Sequence, residues 1–535
     1  MEFFVRLFLI VVKLIALFIN VLQTLNPLKK EKPKANALPP IENHLLTLSA
    51  QELRKRLCEG QISSLELVSA YIERIKVVNP QLNAVAQDCF EASLVQAAKV
   101  DAQIGDASDV KSLFQQQPLL GMPVTVKESC GLSGMSFAVG SLARSQLKAP
   151  ADGAVVARLR AAGAIPLLVS ATPEYCFSID TDTLLNGRCC NPFDLERTPG
   201  GSSGGEGALN GAGASLFGIG SDIGGSIRIP SLFCGVFGHK PTAGVVSVEG
   251  HFPNSSNDDF NQYLVMGPIT RFAVDLAQLL EIMAGTQAAN KLRLHEPVDL
   301  KQLQVHYALN FEGLNGYMHL AVDEDIKTTI RMAVVHLKSQ GLQVQRANLP
   351  GFRNSLEIGL GGIARLDKMD FLLTAQQPYE KVAQIRKTLW ELLRSLCGQS
   401  KYTTGPLIFD LMRRSNAFMP SKQLETYQQE GQSLATDLSR LLGENGVLIF
   451  PTLHAPAFSH GATPIQLWGV DYTLIFNILG FPVTHVPMGL NDAGLPIGFS
   501  VVAAPFQDRL TIRIAVELER VFGGWQPPSP HKLVT

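Results

Sequence analysis

The chain has 535 residues, 46% of them hydrophobic, with 46 basic against 47 acidic side chains and a formal net charge of −1. That length suits one large α/β domain or several average ones, and the matched charges exclude the broad basic field that nucleic acid would need. The eight cysteines are scattered without a Cys-x-x-Cys pair and the eleven histidines show no His-Glu-x-x-His spacing, so neither a disulfide framework nor a dedicated metal site is indicated, and no cofactor is expected.

Phe3 to Leu22 is an apolar run interrupted by Arg6 and Lys13. As a helix it would be about 30 Å long, enough to cross a hydrocarbon core, although Lys13 in mid-segment carries a cost of about 2.5–3.5 kcal/mol. The run is therefore expected to span a membrane or to lie in its interface, and the basic flank Lys29 to Lys34 favours a cytosolic body. On this reading residues 1–28 form an anchor, 29–45 a basic and proline-containing linker, 46–525 the catalytic domain and 526–535 a C-terminal tail.

Capping-box patterns at Ser49-Ala-Gln-Glu52 and Ser63-Ser-Leu-Glu66 open helices over 50–59 and 65–78. A third helix is expected over 90–104, followed by a polar surface loop over 106–117. Pro123-Val-Thr-Val-Lys127 alternates as a strand, which puts Lys127 at a strand end. A helix over 152–162 and an apolar strand over 164–170 give a β-α-β rhythm that the small residues of 209–219 repeat. Beyond 226, where a helix is expected to open, strands are read at 303–309, 342–347, 446–450, 483–490 and 498–504. Helices are read at 275–284, 325–339 and 510–521, with a mainly helical stretch over 353–442. The alternation indicates an α/β fold with a large mixed or parallel sheet flanked by helices.

The chemistry concentrates in Thr198-Pro-Gly-Gly-Ser-Ser-Gly-Gly-Glu206 and Gly220-Ser-Asp-Ile-Gly-Gly-Ser226-Ile-Arg-Ile-Pro230. Glycines let backbone amides approach a ligand closely, so each run can hold a hydroxyl beside aimed N–H donors. That arrangement suits attack of a serine, Ser226, on a carbonyl. The serine needs a base. A histidine is one route, though none is nominated by the sequence; Lys127 is another, because a lysine in a dry pocket can take a proton through its neutral amine.

These runs, with a lysine strand upstream and with His239-Lys-Pro241, Gly267-Pro-Ile-Thr-Arg271, Gly480-Phe-Pro482 and Gly494-Leu-Pro-Ile-Gly498 downstream in order, strongly resemble the amidase signature family over about residues 46–522. The resemblance implies the family's fold and a Ser-Ser-Lys triad on Lys127, Ser202 and Ser226, with the backbone amides of Ile223, Gly224, Gly225 and Ser226 as the oxyanion hole. Ser203 is an alternative bridge or a loop hydrogen-bonder, and Asp222 and Arg228 support the nucleophile loop as a buried pair. Glu206 and His239 read as structural.

Many members follow the lysine with Asp-Asn, whereas this chain has Lys127-Glu-Ser-Cys130. Together with the apolar N-terminus, that looks most like the branch that hydrolyses fatty acid amides, in its N-terminally anchored form. A lipid amide substrate and a membrane met through the N-terminal segment are the implied partners. A homodimer is compatible with the sequence, and nucleic acid is not a partner. Pro406 to Arg414 suits either a membrane-facing lip or an ordinary amphipathic helix. The competing readings are an amidase of small soluble amides or glutamine and, from another class, an inactive membrane-tethered binding protein.

Overall fold

The strand and helix periodicities meet in one sheet. The structure, a computed structural model, describes residues 38–311, 319–366, 381–414, 419 and 421–528. In chain order the strands are β1 (Val85–Asp88), β2 (Pro123–Lys127), β3 (Ile165–Ser170), β4 (Asp182–Thr183), β5 (Gly187–Arg188), β6 (Phe217–Asp222), β7 (Phe237–Lys240), β8 (Val265–Thr270), β9 (Gln304–Tyr307), β10 (Gln343–Arg346), β11 (Gly446–Phe450), β12 (Val483–Leu490) and β13 (Pro496–Ala503). Among the described residues eleven of them form a single sheet in the order β1-β3-β2-β6-β8-β7-β12-β13-β11-β9-β10, while β4 and β5 pair as a separate ribbon.

The sheet is mixed. β3, β2 and β6 run parallel, as do β11, β9 and β10, and the pairs between these two blocks are antiparallel. Parallel strands covered on both faces must be apolar throughout, and β2, β3 and β6 are buried at every position. β3 follows β2 on one side and β6 returns on the other, so the strand order reverses at β2. A ligand site in an open α/β sheet falls at such a reversal, beyond the carboxyl ends of the strands. Lys127, Ser170 and Asp222 occupy those ends.

The helices form where the sequence provides caps. Ser49 Oγ accepts from Glu52 N (3.2 Å) and Ser63 Oγ from Glu66 N (3.0 Å), opening Ala50–Cys58 and Ser64–Leu82. The largest apolar cluster packs Leu53, Leu67, Val78 and Leu280 against strand residues such as Val124 and Val169. A second joins Ile358, Leu434 and Phe476 to Leu448, Phe450 and Val502. Leu38 and Ile41 are buried, and Arg74 donates to the carbonyls of Pro39 and Pro40.

Three local expectations change. The polar stretch 106–117 contains a helix, Val110–Gln116, because Asp109 caps it through Ser112 N and Phe114 supplies a buried anchor. The helix expected to open at Ser226 begins at Arg228, since Ser226 still belongs to the turn. β1, β7 and β8 are strands that the periodicity does not indicate; each is ordered by its neighbours in the sheet.

The membrane-associated localisation is corrected. Among the described residues no helix is long and apolar enough to cross a membrane, and the segment Phe3–Leu22, on which that expectation stood, lies outside the described residues. The stretch Pro406–Arg414 falls in the helix Thr404–Arg414, with Leu407 and Asp410 buried and Ile408 exposed.

Candidate active site

The three carboxyl ends deliver one side chain and two loops to a common point. Lys127 closes β2 and is fully buried. Its Nζ lies 2.7 Å from Ser202 Oγ and donates to Ser221 Oγ (2.9 Å), with the Ser221 carbonyl at 3.5 Å. No carboxylate lies within ion-pair distance of this amine among the described residues, so its polar partners are hydroxyl and carbonyl oxygens.

Ser202 reaches the lysine because its loop is pressed into the body. Thr181 donates to Gly200 O (2.8 Å), Thr172 to Ser202 O (2.8 Å), and the Gly201–Ser202 peptide is cis. A Cβ on Gly201 would stand 2.4 Å from the Ser178 carbonyl oxygen, so only glycine permits this approach. Ser203 follows, and its Oγ donates to Ser221 O at 3.4 Å. Its amide donates to the Ser226 carbonyl (3.1 Å), which ties the two serine loops together. Ser226 is half-buried, whereas Lys127 and Ser202 are buried.

The loop Ile223-Gly-Gly-Ser226 is clamped from below. Asp222 Oδ1 accepts from Gly225 N (2.7 Å) and Arg228 Nη2 (2.9 Å), and Oδ2 accepts from Ile227 N and Arg228 Nε (both 3.0 Å). Burial by itself would raise the Asp222 carboxyl, but the Arg228 charge and these four donors hold it well below the usual carboxylate range. Arg228 also donates to Thr473 O (3.0 Å) and Asn477 Oδ1 (2.6 Å). From the same helix, Asp471–Ile478, Thr473 donates to Gly224 O (2.6 Å) and Asn477 to Asp222 O (2.9 Å).

Glu206 and His239 lie in the supporting body. Thr125 donates to Glu206 Oε2 (2.6 Å), and burial pushes the Glu206 carboxyl up to about 7 against that hydrogen bond. His239 bridges Thr484 and Asp508. Sequence reasoning did not single out Ser221, Thr473, Asn477 or His251, whose Nε2 is 2.9 Å from Ser221 Oγ. Ser221 lies within the second glycine run, where its neighbours in sequence give it no distinguishing signal. The others stand far along the chain with no pattern around them. Among the described residues no group of three or more His, Cys, Asp or Glu side chains is gathered as metal ligands.

Two glycine-framed serine loops and a buried amine thus meet at the ends of parallel strands in one mixed sheet, which among the described residues has eleven strands. The amidase family model matches residues 66–512, and the chain belongs to the amidase signature family. Within it the chain is similar to fatty-acid amide hydrolase 2-B of Danio rerio, 41% identical over 521 residues covering 96% of each chain. It is also 36% identical over 498 residues to fatty-acid amide hydrolase 2 of Homo sapiens, covering 92% of each. Its fold matches a bacterial aryl acylamidase of the family with a TM-score of 0.70 at 23% identity, over 91% of this chain and 99% of the other. The protein is an amidase-signature hydrolase related to the fatty-acid amide hydrolases.

Proposed function

We propose that the protein hydrolyses fatty acid amides, N-acyl ethanolamines and primary amides among them, through an acyl-enzyme on Ser226. The contact between Lys127 Nζ and Ser202 Oγ, 2.7 Å long and wholly buried, is the observation that carries this reading. Ser226 Oγ attacks the amide carbonyl carbon, giving its proton to Ser202 as Ser202 gives its own to the neutral amine of Lys127. The amides of Ile223, Gly224 and Ser226 receive the oxyanion, while that of Gly225, expected among them, donates to Asp222 Oδ1 (2.7 Å) and holds the loop in place. The proton returns through Ser202 to the leaving nitrogen, which departs poorly unless protonated, and the C–N bond breaks. Water then attacks the acyl carbon, the ester bond to Ser226 breaks, and the fatty acid leaves.

Two observations support a lipid acyl group. The chain shares its length and 41% of its residues with a relative named for that substrate class. Ile223, first of the oxyanion loop, packs in an apolar cluster with Phe260, Tyr263, Ile363, Leu366 and Leu474, next to Phe177 and Phe409, whose ring centroids are 4.4 Å apart. Purified protein should hydrolyse oleamide and leave glutamine intact, and a fluorophosphonate should label the wild type but not Ser226→Ala. Turnover of glutamine in place of oleamide would transfer the reading to small soluble amides; labelling that persists in Ser226→Ala would move the nucleophile elsewhere.

A further inference from the structure

A buried ring outside both glycine runs reaches the lysine through one hydroxyl. His251 lies in the segment after β7, and this segment is stitched to the residues that follow β2. Phe252 N donates to Ser129 O (2.9 Å), Gly131 N to Gly250 O (2.9 Å), and Cys130 and His251 pair as an antiparallel bridge. The His251 side chain is buried, with Nδ1 2.9 Å from the Pro253 carbonyl oxygen and Nε2 2.9 Å from Ser221 Oγ. A carbonyl only accepts, so Nδ1 carries the ring hydrogen. Burial, the largest cause, lowers the imidazole pKa, which leaves a lone pair on Nε2 at neutral pH. Ser221 therefore spends its single proton on Nε2 and turns only lone pairs toward Lys127 Nζ, 2.9 Å away.

We propose that His251 is a positioning residue of the hydrolase, acting through Ser221 to aim the lone pair of the Lys127 amine at Ser202. The inference rests on the reading of Lys127 as the base. A neutral amine has two hydrogens and one lone pair. Ser221 can only accept, so it takes one of the hydrogens, and the lone pair is left for Ser202 Oγ at 2.7 Å, the hydroxyl whose proton it must remove. Without a partner at Nε2, the Ser221 hydroxyl would rotate and donate to that same lone pair. Two hydroxyls would then compete for one base, and only one of them leads to Ser226.

Steady-state hydrolysis of a lipid amide by His251→Phe, His251→Gln, Ser221→Ala and the double variant His251→Phe/Ser221→Ala tests this. His251→Phe should lower kcat about tenfold, the effect of roughly one misdirected hydrogen bond, with KM within twofold of wild type. His251→Gln, whose amide oxygen can accept from Ser221, should recover most of the loss. So should the double variant, because removing the competing hydroxyl frees the lone pair; a purely structural histidine predicts a double variant no better than the single one. His251→Leu carries the same comparison if His251→Phe does not fold. Wild-type kcat in His251→Phe, or a double variant as slow as the single, would overturn the inference. Wild-type kcat in Lys127→Ala would instead overturn the base assignment beneath it.

Discussion

Replacing Asp222 by asparagine tests how the loop proposed to receive the oxyanion, Ile223 to Ser226, is held. The two carboxylate oxygens accept from four donors at 2.7–3.0 Å, two of them backbone amides and two from the guanidinium of Arg228. An asparagine keeps one oxygen, so whichever way the amide is turned, two of those donors face an NH2 group. Both ion-pair partners have fully buried side chains, so the substitution removes the carboxylate that pairs with the Arg228 charge. Breaking a buried pair in this way costs about 3–5 kcal/mol, a large share of the 5–15 kcal/mol by which native proteins are stable. The midpoint of guanidinium unfolding should fall accordingly at unchanged slope, and the rate of fluorophosphonate labelling at Ser226 should fall with it because the Gly225 amide is no longer fixed. The pH dependence has a definite sign. The Asp222 carboxyl is held below the ordinary aspartate value of 3.8, so its contribution is complete above 3.8 and is lost as pH falls below it. The gap between wild type and variant should therefore narrow in acid. An Asp222→Asn protein within about 1 kcal/mol of wild type and labelled at the wild-type rate would refute the clamp, because the smallest expected cost of breaking a buried pair is about 3 kcal/mol.

Three further outcomes are expected. Lys127→Ala and Ser202→Ala should each reduce amide hydrolysis by about 10²–10⁴-fold, the range general acid–base groups supply, with circular dichroism unchanged; activity near wild type in either would remove that residue from the proton path. Glu206 has a carboxyl raised by burial from 4.5 to about 7, so wild-type stability should decline by about 3 kcal/mol as pH rises from 4.5 through 7, and Glu206→Gln should lack that decline. Parallel stability–pH curves for the two proteins would show that Glu206 ionises as freely folded as unfolded. Gly225→Ala forces a side chain onto a backbone at φ 117 with its Cβ 2.5 Å from Thr473 Oγ1, so turnover should be lost well before the fold is, and full activity would mean that the loop does not hold the oxyanion.

The parts of the site that were legible in the sequence are those coded by unusual local backbone. Glycines around Ser202 and Ser226 stood out because close approach and left-handed turns admit little else, and the alternation of β2 put Lys127 at a strand end before any neighbour was known. The short helix Val110–Gln116 was missed because seven residues carry too little periodicity to outweigh a polar composition. Its evidence was the Asp109 cap. His251 left no local trace at all: its role depends on Ser221, thirty residues earlier, and on a return segment bridged to Cys130.

By itself the sequence determined the repertoire: buried parallel strands, capped helices, two glycine-framed serine loops and one lysine at a strand end, each written in neighbouring residues because propensity, capping and turn chemistry act over a few positions. Only the tertiary structure decided the partners. The reversal of strand order at β2 brought the ends of β2, β3 and β6 together. Hydrogen bonds between residues 75 and 94 apart then gave Lys127 its Ser202 and Ser221 contacts. A hydrogen bond is specified by distance and direction at a few ångströms, and those quantities do not exist until the sheet has placed the strands side by side.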